Sequence, residues 1–346
     1  MNNFANYMPG VALCLVFACP AWYLGREFPI VGGPVFGILL GMLLALASPA
    51  LCRNQAAFPG KVLNDGVKFT AKKILQYSIV LLGFSMNLLQ VIEVGRESLA
   101  IIAATLASAF LTAYYVGKAL GLEGKTRTLI GVGTSICGGS AIAATAPVIK
   151  AEDEEIAQAI STIFLFNVVA VFLFPALGSW LGLSDAGFGM WAGTAINDTS
   201  SVVAAGAAWS AQSGNDDALV YATIVKLTRT LMIVPITLAL AVYAARQGSG
   251  KEEAGESFAL SSVFPWFVLW FAAAAFFNTV LAIKPLSAVL ATAGKYMIVM
   301  SMFAIGLNTN LYQLIANGRK PIMLGVCCWA AVAVVSLLVQ NSIGIW

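Results

Sequence analysis

The chain has 346 residues, 60% of them hydrophobic and only 10% charged, where soluble domains carry about 45–50% and about 25%, so a bilayer is the solvent its composition suits. A net charge of +3, without any basic cluster interleaved with aromatics, excludes nucleic acid as a partner. The sequence has no histidine, which excludes a His-based triad, a His proton relay and a His-ligated metal; no metal centre and no cofactor are expected.

Apolar stretches bounded by charges, Pro or Gly predict membrane spans near 8–24, 29–48, 73–92, 98–117, 127–149, 155–178, 187–209, 217–245, 262–282, 287–315 and 320–341. Eleven spans of roughly 21 residues use about 230 residues and leave about a third of the chain for short connections, so residues 1–346 read as one transmembrane domain. No strand-length alternation recurs, which favours an all-α polytopic protein over a β-barrel. Residues Met1 to Met8 carry no positive charge and the apolar run to Leu24 is too long for the h-region of a signal peptide, so the chain is expected to open with its first span. The six cysteines (Cys14, Cys19, Cys52, Cys137, Cys327 and Cys328) show no C-x-x-C spacing and read as reduced apolar side chains.

Lys and Arg divide unevenly between alternate loops. Arg53, Lys61, Lys68, Lys72, Lys73, Lys118, Lys125, Arg127, Arg246, Lys251, Arg319 and Lys320 fall on the side of the N-terminus; Arg26, Arg96, Lys150, Lys284 and Lys295 fall on the other. The positive-inside rule then makes the N-terminus cytoplasmic and the C-terminus, Trp346, periplasmic in a bacterial inner membrane. Were 127–149 re-entrant, everything after it would invert.

Two internal similarities stand out. Gly83 to Ile92 matches Gly306 to Ile315 at Gly, Asn, Leu, Gln and Ile, and GTSICGGSAIAA from Gly133 resembles GTAINDTSSVVA from Gly193. Repeated halves with discontinuous helices are the mark of secondary transporters, although the two offsets, 223 and 60, do not fit one tandem duplication. Small-residue helix packing explains the same glycines without a ligand.

Among the 35 charges (19 Lys+Arg, 16 Asp+Glu), loops account for all but Asp198, Lys226 and Arg229. A charge at a span centre costs a few kcal/mol even on the lenient insertion scale. Lys226 and Arg229, three residues apart, share one helix face and would attract a dianion. Pairing with Asp198 as a buried lock would leave one positive charge over, so the reading that fits best has Asp198 neutralise part of the pair while the remainder recruits an oxyanion.

The run Gly131 to Ser140 is too rich in Gly and small polar residues for a lipid-facing helix. It reads as a broken span whose second half offers free N–H groups near Gly138 to Ala141, with Thr134, Ser135, Cys137, Gly139 and Ser140 around them. Thr194, Asn197, Asp198, Thr199, Ser200 and Ser201 form a second such run. Asn87, Asn167, Asn308 and Asn310 add amides at membrane depth, as ligands or as helix-to-helix hydrogen bonds. Glu152-Asp153-Glu154-Glu155 reads as a solvated helix cap. No Walker loop and no G-x-S-x-G motif is present, so neither an ATP-driven pump nor a membrane hydrolase is expected, and the protein is not read as an enzyme.

At GTSICGGSAIAATAPVI, GTAINDTSSVVAAG and IVKLTRTLMIVP, with LLGFSMNL and FAIGLNTNL, the chain resembles the bacterial YeiH-type family, named for sulfate export, from about Ala71 to Ile315. That family is placed in the superfamily of sodium/proton antiporters and bile-acid symporters. The resemblance implies two inverted repeats, a core with two discontinuous crossing helices (motifs near 127–149, 187–245 and 287–315), a panel domain and often a homodimer. Some members carry a His followed by an acid where this chain has Asn197-Asp198, so proton coupling would rest on Asp198 alone or be absent. Two expectations follow: a secondary exporter of a small oxyanion such as sulfate, held by Lys226, Arg229 and the broken motifs, or a sodium/proton antiporter using Asp198.

Overall fold

The computed structural model describes residues 3–28, 32–47, 60–246, 265–281, 284–309 and 318–346. Every regular element in them is helical. Six helical stretches are long and apolar enough to cross a membrane, namely Tyr7–Glu27, Leu88–Ala119, Glu154–Leu181, Asp217–Leu240, Pro285–Asn308 and Arg319–Ser342, with Gly33–Ala47 and Trp266–Leu281 as shorter apolar helices.

Two bundles share the work. The first holds α1 (Asn3–Glu27), α2 (Gly33–Ala47), α3 (Gly60–Phe69) continued through a π-turn at Thr70–Ile74 into α4 (Leu75–Gly83), α13 (Trp266–Leu281) and α14 (Lys284–Asn308). Its centre is apolar: Cys14, Ala18, Ala21 and Val67 pack on Val299, Phe303 and Leu307. The second holds α5 (Leu88–Ala119), α6 (Gly124–Ser135), α7 (Gly139–Thr145), α8 (Asp153–Trp180), α9 (Asp185–Ala195), α10 (Thr199–Ser213), α11 (Asp217–Thr230), α12 (Ile233–Arg246) and α15 (Arg319–Ser342). The seam between bundles is a greasy layer in which Val35, Ile38, Ile79 and Leu82 meet Val203, Ala204, Ala208 and Leu219. The five described cysteines are free.

Local chemistry sets the breaks. Asn87 begins α5 as its N-cap, its side chain accepting the Leu89 N–H at 2.8 Å. Pro235 lacks an N–H for the Leu231 carbonyl and crowds it, which is why α11 ends at Thr230 and α12 starts at Ile233. Glu155 reaches back to the Glu152 N–H at 2.8 Å in a capping box that starts α8; unlike the solvated cap expected there, Glu155 is buried.

The broken motifs fold differently from crossing spans. Helix α6 runs inward from one end of the bundle, the chain turns at Ile136 to Gly138, and α7 runs back, so that Lys125 Nζ donates to the Lys150 carbonyl at 2.8 Å. Both ends of 127–149 therefore lie at the same face, and Lys150 joins Lys125 and Arg127 rather than the opposite side. Helices α9 and α10 repeat the pattern from the other face: Trp209 Nε1 and Asn215 Nδ2, at the end of the hairpin, donate to Asp185, at its start, at 2.6 and 2.7 Å. Phe188 stacks on Trp209 with ring centroids 4.1 Å apart, closing that base. The second hairpin reverses what the first inverts, so α11 and all later elements keep the sense that eleven simple crossings would give, while the transfer of Lys150 sharpens the basic bias of the N-terminal side.

Candidate functional site

The two hairpins meet tip to tip at α11. Lys226 and Arg229 are wholly buried there, and their partners are backbone carbonyls. Lys226 Nζ donates to Ile136 O at 2.9 Å, Ile196 O at 3.0 Å and Asn197 O. Arg229 Nε donates to Ser135 O at 2.6 Å, Nη1 to Thr194 O at 2.6 Å and Ile196 O at 3.4 Å, and Nη2 to Thr134 O.

Those acceptors are the orphan carbonyls at the C-terminal ends of α6 and α9, where the helix dipole is negative and cations are favoured. The 60-residue similarity is visible here as geometry: Arg229 takes Thr134 and its counterpart Thr194, and Lys226 takes Ile136 and its counterpart Ile196. A lysine has three donors and a guanidinium five; seven of these eight are engaged with carbonyls. The pair thus acts as a clasp that holds two helix ends together, and little donor capacity is left to grip a solute directly.

The restarts of the two hairpins differ. Gly138 begins α7 with φ 71°, a conformation glycine adopts freely, and no side chain caps the helix. A Cβ at Gly138 would lie in ordinary contact, 3.4 Å from the Asp198 Cβ and 3.6 Å from Asn167 Nδ2, so the tips touch, and it is the positive φ that favours glycine there. Asp198 caps α10, accepting the Ser200 N–H at 3.1 Å and the Ser200 hydroxyl. The Asp198 N–H donates to Asn167 Oδ1 at 3.1 Å, so α8 braces the same point. Among the described residues Asp198 forms no ion pair, which sets aside the buried lock with Lys226 or Arg229.

Three buried polar atoms at the tips have no partner: Thr134 Oγ1, Asn167 Nδ2 and Asn197 Oδ1. Unsatisfied buried groups of this kind cost about 1–3 kcal/mol each and call for an explanation.

Thr134, Ser135, Cys137, Gly138, Gly139, Ser140, Asn197, Asp198, Thr199, Ser200, Lys226, Arg229 and Asn167 are all brought to the tips. Ser140 is exposed, while Asn197, Thr199 and Ser200 are buried. Asn87 and Asn308 are not brought there: the first lines a cavity at the rim and the second is the exposed last residue of α14. Asn310 lies outside the described residues. Two groups carry no clear signal in the sequence. Ser336 of α15 meets the Thr194 hydroxyl at 2.6 Å; its one hint is that buried Ser336 and Gln340 stand four apart in an apolar helix. Lys295 and Asp216, which look like ordinary loop charges, form an ion pair across the seam between bundles.

The fold and site define a polytopic helical membrane protein with a polar, charge-bearing centre. The chain matches the family model described as Conserved hypothetical protein 698 over residues 9–325. It is 52% identical to a UPF0324 membrane protein of Streptococcus pyogenes serotype M3, with 100% of both chains covered. Identity is 49% to one of Streptococcus mutans serotype c, over 98% of each chain, and 47% to one of Fusobacterium nucleatum, over 99% of each. The protein belongs to this family, the UPF0324 membrane proteins.

Proposed function

We propose that the protein is a secondary active transporter, in the direction of export, of a small oxyanion such as sulfate or a related sulfur oxyanion. The observation that carries the reading is the meeting of two opposed hairpin tips round a buried charge excess, with an unpartnered amide, Asn167 Nδ2, beside the uncapped start of α7. In this reading the anion sits at the Gly139 and Ser140 N–H groups with the Asn167 amide and the Ser140 hydroxyl; the Gly138 N–H is taken by Gly133 O at 3.0 Å and the Ser200 hydroxyl by Asp198. Lys226 and Arg229 are positioning residues: they hold the tips and contribute net positive field, offset in part by Asp198. The second bundle, which carries both tips, moves against the first to give access to each side in turn.

The membrane arrangement proposed with it has nine crossings and two re-entrant hairpins in the bacterial inner membrane, N-terminus cytoplasmic and C-terminus periplasmic, assembled as a homodimer as the YeiH resemblance implies. In this reading Asp198, which forms no ion pair among the described residues, carries the coupling proton or sodium ion.

Sulfate flux into proteoliposomes tests the site. Asn167→Leu, which removes the orphan donor and with it the acceptor of the Asp198 N–H, is expected to cut flux at least about tenfold while the protein stays folded; full flux in that variant overturns the assignment. The unpaired Asp198 also favours a second reading, a sodium/proton antiporter. On that reading Asp198→Asn abolishes cation-driven pH changes, whereas on the first it spares sulfate binding in detergent.

A further inference from the structure

At the face where the α9–α10 hairpin opens, the seam between bundles widens into an open cleft of about 530 Å³ with a mixed polar and apolar lining. Asp216, from the hairpin bundle, is its contribution from α11; Lys295, on the opposite wall, belongs to α14. Lys295 Nζ lies 2.7 and 2.6 Å from the two Asp216 carboxylate oxygens, the one ion pair among the described residues. Asp216 occupies the N-cap position of α11 yet makes no cap hydrogen bond, although capping is what an Asp there ordinarily does. Its carboxylate is turned out to the cavity instead.

Counting hydrogens on the wall gives the sign of the site. Ser85 donates its hydroxyl hydrogen to Leu82 O at 2.7 Å, Thr279 to Ala275 O at 2.7 Å and Thr292 to Ala288 O at 2.8 Å. Ser287 donates to Asn278 Oδ1 at 2.5 Å, and Asn278 Nδ2 to Met86 O at 3.0 Å. A hydroxyl whose one hydrogen is committed can only accept; the Thr279 hydroxyl already accepts the Leu88 N–H at 2.8 Å, and those of Ser85 and Thr292 show the cavity lone pairs. Apart from the Lys295 ammonium and the Asn87 amide, the wall is electron-rich, and its formal negative charge is Asp216.

We propose that this cavity is a binding site for a monovalent metal cation of the sodium class, with Asp216 as its carboxylate ligand and the Lys295 ammonium as a tethered occupant that the ion displaces. Oxygen atoms suit a hard cation, and the single carboxylate balances one positive charge, which favours a monovalent ion over a divalent one. Because the half-exposed pair crosses the rim of the seam, an ion that takes Asp216 from Lys295 removes one tie between bundles that the apolar layer otherwise holds together. The site does not depend on which solute the hairpin tips carry.

Thermal unfolding of the full-length protein in detergent, with NaCl titrated against choline chloride at constant ionic strength, tests it. Lys295→Gln empties the site of its tethered cation, and a sodium-specific, saturable rise in Tm of about 3 °C is expected; adding Asp216→Asn removes it. No sodium-specific rise in Lys295→Gln, or one that persists in the double variant, overturns the proposal. Should the variant not fold, acetylation of Lys295 in the unaltered protein, read by mass spectrometry, separates the same two outcomes: it rises in sodium over choline if the ion displaces the ammonium, and an unchanged rate contradicts the site.

Discussion

The two hairpins start from similar sequences and end in different states of satisfaction. In the α9–α10 hairpin the Thr194 hydroxyl meets Ser336 at 2.6 Å, Trp191 Nε1 donates to Ala333 O at 3.0 Å, and Asp198 caps the restart. In the α6–α7 hairpin the counterpart Thr134 hydroxyl has no partner and the restart at Gly138 is uncapped. Each tip keeps one buried polar atom without a partner, Thr134 Oγ1 in one and Asn197 Oδ1 in the other; what differs is the restart, capped by Asp198 in α9–α10 and uncapped in α6–α7. In the proposed function the uncapped α6–α7 restart is the face that receives the anion and the capped α9–α10 restart its support.

The largest effect expected falls on what both hairpins share. Arg229→Met leaves the carbonyls of Thr134, Ser135 and Thr194 without their donor, and each buried orphan costs about 1–3 kcal/mol. A loss of more than about 3 kcal/mol in unfolding free energy in detergent is expected; a loss under about 1 kcal/mol would mean that the clasp does not hold the tips. A smaller, paired effect sharpens the contrast. Thr194→Val strands the Ser336 hydroxyl and is expected to cost about 1–2 kcal/mol, whereas Thr134→Val removes a hydroxyl that has no partner and is expected to be neutral or stabilising in ligand-free protein. Equal losses in the two variants would erase the asymmetry.

Much of this was legible in the sequence, and the part that was not has a physical reason. Composition and apolar runs disclose helices and a membrane, and the depth of Lys226 and Arg229 marks them as special. Their partners were hidden because backbone carbonyls carry no side-chain signature: nothing in the letters of Thr134, Ile136, Thr194 or Ile196 says that their oxygens converge on one helix. The similarity between Gly133 and Gly193 segments was visible, but its meaning, equivalent carbonyls on one cation, needs the fold. Crossing versus hairpin was equally hidden, since 127–149 is long enough to span. What decides it is the turn at Ile136 to Gly138, with its glycine at positive φ, and the return of Lys150 to Lys125. The Lys295–Asp216 pair was hidden because each residue alone resembles a loop charge; only packing of α11 against α14 joins them.

The opposed hairpins organise the whole site, and the sidedness of their ends tests them most directly. Single cysteines at positions 125 and 150, each in a cysteine-free background in sealed vesicles, are expected to react with a membrane-impermeant maleimide from the same side, and those at 185 and 215 together from the other. Labelling of 125 and 150 from opposite sides would make 127–149 a crossing span and contradict the hairpin.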